Sequence, residues 1–295
     1  MPMVGDRPAI DVSSIVFATD FSACSENAGS YARLLANYFS APLLVAHAFL
    51  LSRAAHEVEL RHGTSSQHRE ELKARLSHVA DTLGSTSVKT EPFLLEGNPH
   101  EVIPTLADKH EPSLIVLGTH GAGPIEHGVI GSVAEKILRS SRWPCFTVGP
   151  KVPPIAPGTP PFRRILFTTD FTTAGTHAAP FALAFAEEAG GEIDTLNVIP
   201  DHSKNDADKL SLMLDPYYDT LARLVPPHAR DFCSPHTFVE EGNAHDRIIG
   251  HIREHKIDLL VLGLLKSSHL GLEMRTSGAF RLIADAECPV LTVTG

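Results

Sequence analysis

Short runs of aliphatic residues alternate along the chain with segments in which apolar residues return every three or four positions. The aliphatic runs predict buried strands, which in the first half lie at residues 15–20, 43–48, 88–95, 114–117 and 145–148. The intervening periodicity predicts amphipathic helices, as in the set Leu72, Leu76, Val79 and Leu83. Because strands and helices alternate, the sequence predicts a mostly parallel sheet with helices on both faces and right-handed crossovers.

The second half of the chain repeats the first. Three pairs of segments match in the same order: residues 17–22 with 167–172, 96–100 with 241–245, and 114–118 with 259–263. Their offsets are nearly constant, which indicates an internal duplication. A proline-dense segment separates the copies and predicts an extended, semi-rigid linker. We therefore expect a first domain at residues 1–150, the linker at 151–161 and a second domain at 162–295.

Length and composition limit the possible classes of protein. The chain has 295 residues, 43% of them hydrophobic, which suits two globular domains of ordinary size. A net charge of −10 without a basic block argues against nucleic acid as the main partner. No apolar run reaches the ~18 residues of a membrane span, and the first residues lack a secretory pattern. We therefore expect a cytoplasmic protein without a membrane partner.

Cysteine and histidine give weaker indications. The four cysteines show no C-x-x-C spacing, and Cys145 and Cys288 each lie in or beside an apolar run, so buried small hydrophobes are expected. Among the 17 histidines, His56, His62 and His68 share a polar region that could hold a metal ion. No HExxH motif supports such a site, and solvated surface histidines are the simpler interpretation.

The stretch at residues 114–133 carries the clearest chemical pattern. A run of four aliphatic residues ends at Gly118, and a loop with Gly121 leads to Gly131 and Ser132, where a helical pattern begins. Glycines let a backbone approach an anion closely, and the free N–H groups of a helix start carry partial positive charge. The spacing indicates either a phosphate-binding loop or a glycine-rich surface loop. It lacks the lysine of a P-loop and the third glycine of a dinucleotide fingerprint.

Two strand ends of the first half are expected to meet. Asp20 closes the first strand and Gly118 closes the fourth. Ligands of parallel α/β sheets bind outside the carboxyl ends of the strands, where the strand order changes direction. We therefore expect Asp20 and Gly118 at one crevice, although a helix-capping role would also explain an aspartate at this position.

With these residues, the chain resembles the universal stress protein family in its tandem two-domain form. The resemblance covers nearly all of residues 12–150 in the first half. It rests on the strand end at residues 18–22, the Gly-Asn-Pro turn at 97–99, and the G-x2-G-x9-G-S spacing that starts at Gly118. It implies an α/β fold of two repeated doubly wound domains, adenine nucleotide alpha hydrolase-like, each with five strands. It also implies ATP held with Mg²⁺ or Mn²⁺.

The resemblance further implies which residues bind the nucleotide. They are Ala18, Thr19, Asp20, His47, Ala48, Gly118, Gly121, Gly131, Ser132 and Val133. The residues at the first two strand ends would border the adenosine, while the glycines and the helix start would approach the ribose and phosphates. Ala134 replaces a hydroxyl residue found in many ATP-binding members, which removes one phosphate donor worth ~1 kcal/mol.

The second half departs further from the family pattern. Gly263 remains, but Lys266 and Thr276 stand where the second and third glycines belong. Their side chains would crowd a loop that needs an open backbone, although Lys266 could pair with a phosphate. Asp170 is retained, which helix capping alone can explain. The resemblance therefore implies that ATP is held mainly by the first domain.

Three classes of function stay open at this point. A regulatory nucleotide-binding protein of stress physiology would change shape or partner on binding ATP. A slow ATPase or phosphotransferase would need a group that orients the attacking water or acceptor. The loop offers His120 and His127, but neither has a spacing tied to chemistry, so no catalytic residue is assigned. An interaction scaffold without nucleotide would not be stabilised by ATP.

The last strand of each half is a candidate sheet edge. The family pairs such edges, and exposed edges tend to be covered or paired. We therefore expect the two halves to pack as an intramolecular pseudo-dimer. The sequence leaves open whether two chains then form a homodimer.

Overall fold

The computed structural model describes residues 10–50, 65–121, 129–155, 162–200, 207–265 and 273–295. They fall into two compact units, one built chiefly from Val12–Ile125 and Gly131–Pro150, the other chiefly from Lys151–Gly295. Each unit repeats the same order of strands and helices. The two units are called here the first and the second domain.

The first domain alternates five strands with four helices among its described residues. The strands are β1 (Ser14–Ala18), β2 (Leu43–Phe49), β3 (Thr90–Glu96), β4 (Ser113–Gly118) and β5 (Cys145–Val148). The helices are α1 (Ala23–Tyr38), α2 (Ser65–Leu83), α3 (Pro99–Lys109) and α4 (Ser132–Ser140).

All strand pairs of this domain are parallel, in the order β3-β2-β1-β4-β5. β1 lies between β2 and β4, so the strand order changes direction at its carboxyl end. Helices α1 and α2 pack together against one face, and α3 and α4 pack together on the other. The central strands are aliphatic along their whole length because both faces are covered, and Ile15, Val16 and Ile115 are fully buried.

The second domain has the same architecture. Its strands are β6 (Arg164–Thr168), β7 (Glu192–Ile199), β8 (Ser234–Glu241), β9 (Leu259–Leu264) and β10 (Val290–Thr294). Its helices are α5 (Thr173–Ala189), α6 (Ala207–Leu224), α7 (Ala244–Glu254) and α8 (Glu273–Asp285), and a short 3-10 helix (Pro227–Asp231) precedes β8. The strand order is β8-β7-β6-β9-β10, again entirely parallel.

The predicted fold class is confirmed, since two repeated α/β domains each contain a parallel five-stranded sheet flanked by helices. Element bounds differ by a few residues: β3 begins at Thr90 rather than at residue 88, because Ser85 and Val88 first form a turn that the Ser85 hydroxyl closes. Part of the predicted linker, residues 156–161, lies outside the described residues. None of the helices in the described part of the chain is long and apolar enough to cross a membrane.

Candidate functional site

A cavity of about 280 Å³ opens where β1, β2 and β4 end in the first domain. Such a volume approaches the roughly 300–1,000 Å³ typical of small-molecule sites. All ten residues predicted to bind nucleotide line it, namely Ala18, Thr19, Asp20, His47, Ala48, Gly118, Gly121, Gly131, Ser132 and Val133. The topology brings them together because the carboxyl ends of parallel strands meet at one edge of the sheet.

A tight turn after β1 fixes the position of Asp20. One carboxylate oxygen of Asp20, Oδ1, accepts hydrogen bonds from the Ser22 amide at 3.0 Å and from the Ser22 hydroxyl at 2.6 Å. Phe21 adopts a left-handed backbone with φ of 61°, and Phe171 repeats this in the second domain. Such a backbone costs of order 1–3 kcal/mol for a residue other than glycine and is typical of functional sites. The strained turn holds an exposed carboxylate at the cavity wall.

The two loop glycines leave space that a side chain would fill. A Cβ on Gly121 would lie 2.7 Å from the Asp20 Oδ2, and a Cβ on Gly131 would lie 2.9 Å from the Thr119 carbonyl oxygen. The Gly131 amide donates to that same carbonyl at 2.8 Å. Gly131 is therefore needed because it has no side chain. Its N–H group is not available to a ligand, because it already donates to Thr119.

At the start of α4, no side chain in the described part of the loop caps the backbone donors. The N-cap residue is Gly131, which has no side chain to accept a hydrogen bond from the first turn. In α1, by contrast, the Ser22 hydroxyl accepts from the Ser25 amide at 3.2 Å. The amides of Ser132, Val133 and Ala134 lie in the first turn, and all three residues line the cavity. Free first-turn amides and the helix dipole together favour an anion at this wall.

His47 forms the part of the wall that lies at the end of β2. Its Nδ1 lies 2.8 Å from the Thr19 carbonyl oxygen, so Nδ1 carries the proton and donates. Its ring contacts that of Phe21 at a tilt of 36°, with centroids 4.3 Å apart, and the Arg75 guanidinium lies 4.3 Å from the centroid of Phe21. Burial lowers the pKa of His47 below its ordinary value of 6.5, despite the opposing hydrogen bond with Thr19. At neutral pH the uncharged ring therefore keeps Nε2 as an acceptor.

We expect the variant His47→Asn to keep the hydrogen bond to Thr19, because Asn197 Nδ2 donates to the Thr169 carbonyl at 2.7 Å at the equivalent place. At about pH 8 its free energy of unfolding should match the wild type within about 1 kcal/mol. Below about pH 6.5 the unfolded imidazole takes up a proton that the folded one resists, so wild-type stability should fall relative to the variant. Denaturant unfolding across this pH range measures the difference. Parallel stability curves would contradict a neutral buried imidazole.

Sequence reasoning assigned no role to His120, which the structure places in the cavity wall. Its Nδ1 lies 2.8 Å from the Thr119 hydroxyl. Its Nε2 is buried and has no hydrogen-bond partner among the described residues. His120 is thus half-buried beside Thr119, whose carbonyl oxygen accepts a hydrogen bond from the Gly131 amide, and the glycine spacing does not indicate this position. His127 and the candidate metal histidines His56 and His62 lie outside the described residues, whereas His68 is exposed on α2.

The second domain has a cavity of about 250 Å³ at its equivalent strand ends. Thr169, Asp170 and Gly263 line it, and Asp170 accepts from the Thr172 amide at 3.1 Å in the same turn that Asp20 forms. The rest of its wall is richer in aliphatic side chains, including Leu196, Val198, Ile248, Leu262, Leu264, Leu265 and Leu282. This cavity keeps the turn of the first-domain cavity, while bulkier aliphatic side chains line more of its wall.

The helix that follows the second-domain loop also starts differently. Helix α8 begins at Glu273, whereas Ser277 is the residue equivalent to Ser132 at the start of α4. The Ser277 amide therefore lies beyond the first turn, where intrahelical carbonyls accept its hydrogen bond. Lys266, the predicted obstacle, lies outside the described residues. Among the described residues that line this cavity, α8 therefore contributes no first-turn amide to an anion.

Comparisons with known proteins agree with this architecture. A universal stress protein of Methanocaldococcus jannaschii is 28% identical over 79 residues, which are 27% of this chain and 49%, about half, of that protein. One from Thermus aquaticus is 30% identical over 140 residues, 46% of this chain and 97% of that protein. The crystal structure of a universal stress protein from Archaeoglobus fulgidus aligns over 97% of this chain and 99% of its own, with a TM-score of 0.67 and 17% identity.

The match to the family as a whole extends over both repeats. The model described as the universal stress protein family matches residues 12–149 and, separately, residues 161–294. These matches together span more than half of the sequence, and the chain belongs to the universal stress protein family.

Proposed function

We propose that the first-domain cavity binds ATP together with Mg²⁺ or Mn²⁺, and that binding regulates a stress response. The observation that carries this proposal is the uncapped start of α4, whose free amides share one cavity wall with the Asp20 carboxylate. Free amides suit phosphate oxygens. A carboxylate suits a metal ion or a ribose hydroxyl.

The residues that line the first-domain cavity would bind the two ends of the nucleotide differently, the base at one end and the phosphates at the other. Ala18, Thr19, His47 and Ala48 lie at the ends of β1 and β2 and would border the adenosine, with His47 Nε2 available to accept a hydrogen bond. The amides of residues 132–134 would hold the phosphates, and His120 lines the same cavity. Gly121 and Gly131 would let the ligand approach the backbone.

A divalent ion would bind with the nucleotide. Mg²⁺ typically keeps several waters and is held by one or two carboxylates plus substrate phosphates. Asp20 supplies the one carboxylate among the described residues that line the cavity. Both of its hydrogen bonds with Ser22 are made by Oδ1, and neither involves Oδ2. When bound, the ion would offset phosphate charge and fix the phosphate conformation. Its loss should weaken ATP more than AMP.

We further propose that the protein is at most a slow ATPase. Efficient phosphoryl transfer needs a group that positions the nucleophile and cations that clamp the phosphates. Among the described residues lining the cavity there is no lysine or arginine. Binding would instead change the shape of the domain or its choice of partner, by no more than the difference in ATP affinity between the two states.

The remaining parts of the proposal concern the whole chain. The domains would extend over residues 1–150 and 162–295, joined by the proline-rich linker at 151–161, and pack as an intramolecular pseudo-dimer in the cytoplasm, with a homodimer as a further assembly. The second domain would contribute structure or regulation, because its cavity has a more aliphatic wall. Neither nucleic acid nor a membrane is a proposed partner, given the net charge of −10.

Thermal unfolding with and without ligand tests the proposal. At about 100 times its dissociation constant, Mg-ATP should stabilise the first domain by about 2.7 kcal/mol. AMP should stabilise less, and chelation of the metal should reduce the ATP effect. Steady-state turnover at saturating Mg-ATP should stay well below about 1 s⁻¹. No shift with millimolar ATP would favour a nucleotide-free scaffold, and turnover at or above that rate would favour an enzyme.

A further inference from the structure

A cluster of titratable side chains lies in the second domain, outside the cavity. Asp194 on β7, His251 on α7 and His255 just after α7 bring their ligand atoms within 4.8 Å of one another. Asp194 Oδ2 lies 2.9 Å from His251 Nε2 and 3.2 Å from His255 Nδ1. Glu240 on β8 lies 3.0 Å from the other nitrogen of His251, Nδ1. The side chains of Asp194 and His251 are almost fully buried, at 7% and 1% exposure.

The equivalent positions of the first domain show which residues the same fold carries without this cluster. Internal repetition pairs Asp194 with Leu44, Glu240 with Leu95, His251 with Leu106 and His255 with His110. The partner of His255 keeps its ring contact, since Phe93 meets His110 as Phe238 meets His255. Leu44 and Leu106 are buried core residues.

The second domain thus carries three polar groups where the first carries leucines. Burial of charged and polar groups costs several kcal/mol unless they are paired, and apolar residues of similar size are often at least as stable. The stability of the fold therefore does not explain why these polar residues are present.

The donor set suits a divalent transition metal. Two imidazole nitrogens and a carboxylate oxygen form a ligand set that binds Zn²⁺ in proteins. With both imidazoles neutral, as metal ligation requires, the two carboxylates carry a charge that a divalent cation cancels. The histidines are four positions apart around the end of one helix, a spacing that places side chains on one face.

We propose that Asp194, His251 and His255 form a Zn²⁺ site in the second domain, with Glu240 orienting His251. The metal would bind His251 through Nε2, while Nδ1 keeps its proton and donates to Glu240. A carboxylate on the far nitrogen of a metal-bound histidine fixes the tautomer and raises ligand basicity. Water or a small ligand would complete the coordination.

Binding requires one local rearrangement. The two imidazole rings are stacked, with centroids 3.9 Å apart and an interplanar angle of 9°, whereas a shared metal must lie in the plane of both rings. His255 is the ring that can turn, because its side chain is 37% exposed while that of His251 is buried. A cavity of about 10 Å³ reaches Asp194 and His255 from the side of Arg164 and Glu192. The Arg164 guanidinium lies 4.0 Å from Glu192, which reduces its repulsion of a cation.

Calorimetric titration of the untagged, chelator-treated full chain with ZnCl₂ tests this site. We expect the wild type to bind one Zn²⁺ that His255→Ala does not bind. Glu240→Gln should keep the site but weaken it by about 10–100-fold. His110→Ala is the matched control and should bind as the wild type does, because leucines surround the equivalent position in the first domain.

A triple variant, Asp194→Leu, Glu240→Leu and His251→Leu, restores the residues of the first domain and should fold and lose the site. If the triple variant fails to fold, His255→Ala still tests the site, because this substitution removes only a partly exposed ring and should leave the fold intact. Zn²⁺ bound with equal stoichiometry and affinity by the wild type and folded His255→Ala would overturn the proposal, as would no binding by the wild type. ATP binding is measured separately, so failure of the nucleotide proposal would leave this result unchanged.

Discussion

Replacing Ser132 by proline should weaken Mg-ATP binding by about 10–100-fold while leaving the fold intact. Proline removes one backbone N–H from the first turn of α4, and a hydrogen bond to a charged group is worth about 1.5–3 kcal/mol. Proline is well tolerated at the first position of a helix. Gly131, the residue before it, has φ of −60° and ψ of 140°, the extended backbone that proline requires of its neighbour.

The matched control is Ser132→Ala, which removes the hydroxyl and keeps the amide. Its loss of affinity should be no more than about fivefold, since one neutral hydrogen bond is worth about 1 kcal/mol. Circular dichroism and the melting temperature of the free protein check that both variants fold. Equal ATP affinity for the proline and alanine variants would show that the amide does not bind phosphate.

The second large effect concerns stability. Gly263→Ala should lower the free energy of unfolding by about 3 kcal/mol or prevent folding of the second domain. A Cβ at this position would lie 2.2 Å from the Ala174 carbonyl carbon and 2.4 Å from the Gly175 nitrogen, which are backbone atoms that cannot turn aside. Denaturant unfolding of the purified variant measures the loss. Gly263 therefore remains in the second domain because α5 packs closely on β9, whatever that domain binds.

Gly250→Ala is the control for this effect within the same domain. Gly250 lies inside α7, and a Cβ there would meet nothing within 4 Å. Alanine is the better helix former, so this variant should be more stable than the wild type by about 0.5–1 kcal/mol. If both variants changed stability alike, close packing at Gly263 would not be the cause.

Sequence patterns predicted the fold and the location of the candidate site because both depend on local rules. Aliphatic runs fixed the strands, and strand ends placed Asp20 and Gly118 at one edge of a parallel sheet. The roles of individual loop residues depend on neighbours far along the chain. Nothing in the glycine spacing indicates that Gly121 leaves room for Asp20, or that the Gly131 amide is used by Thr119.

The same limit applies to the second domain. The residue Ser277 resembles a helix start by its alignment with Ser132, but α8 begins one turn earlier. The Asp194, His251 and His255 cluster draws on two separate parts of the chain, and only the i, i+4 spacing of its histidines could have signalled it. Sequence reasoning considered a metal only in the polar region around His68, because neighbouring histidines are visible without a structure, and it preferred solvated surface histidines there.

Calorimetric titration of the wild-type chain with Mg-ATP decides whether the first-domain cavity is a nucleotide site. We expect one ATP per chain, with an affinity that falls in Ser132→Pro. Absence of binding heat across several temperatures, or two equivalent sites per chain, would contradict it.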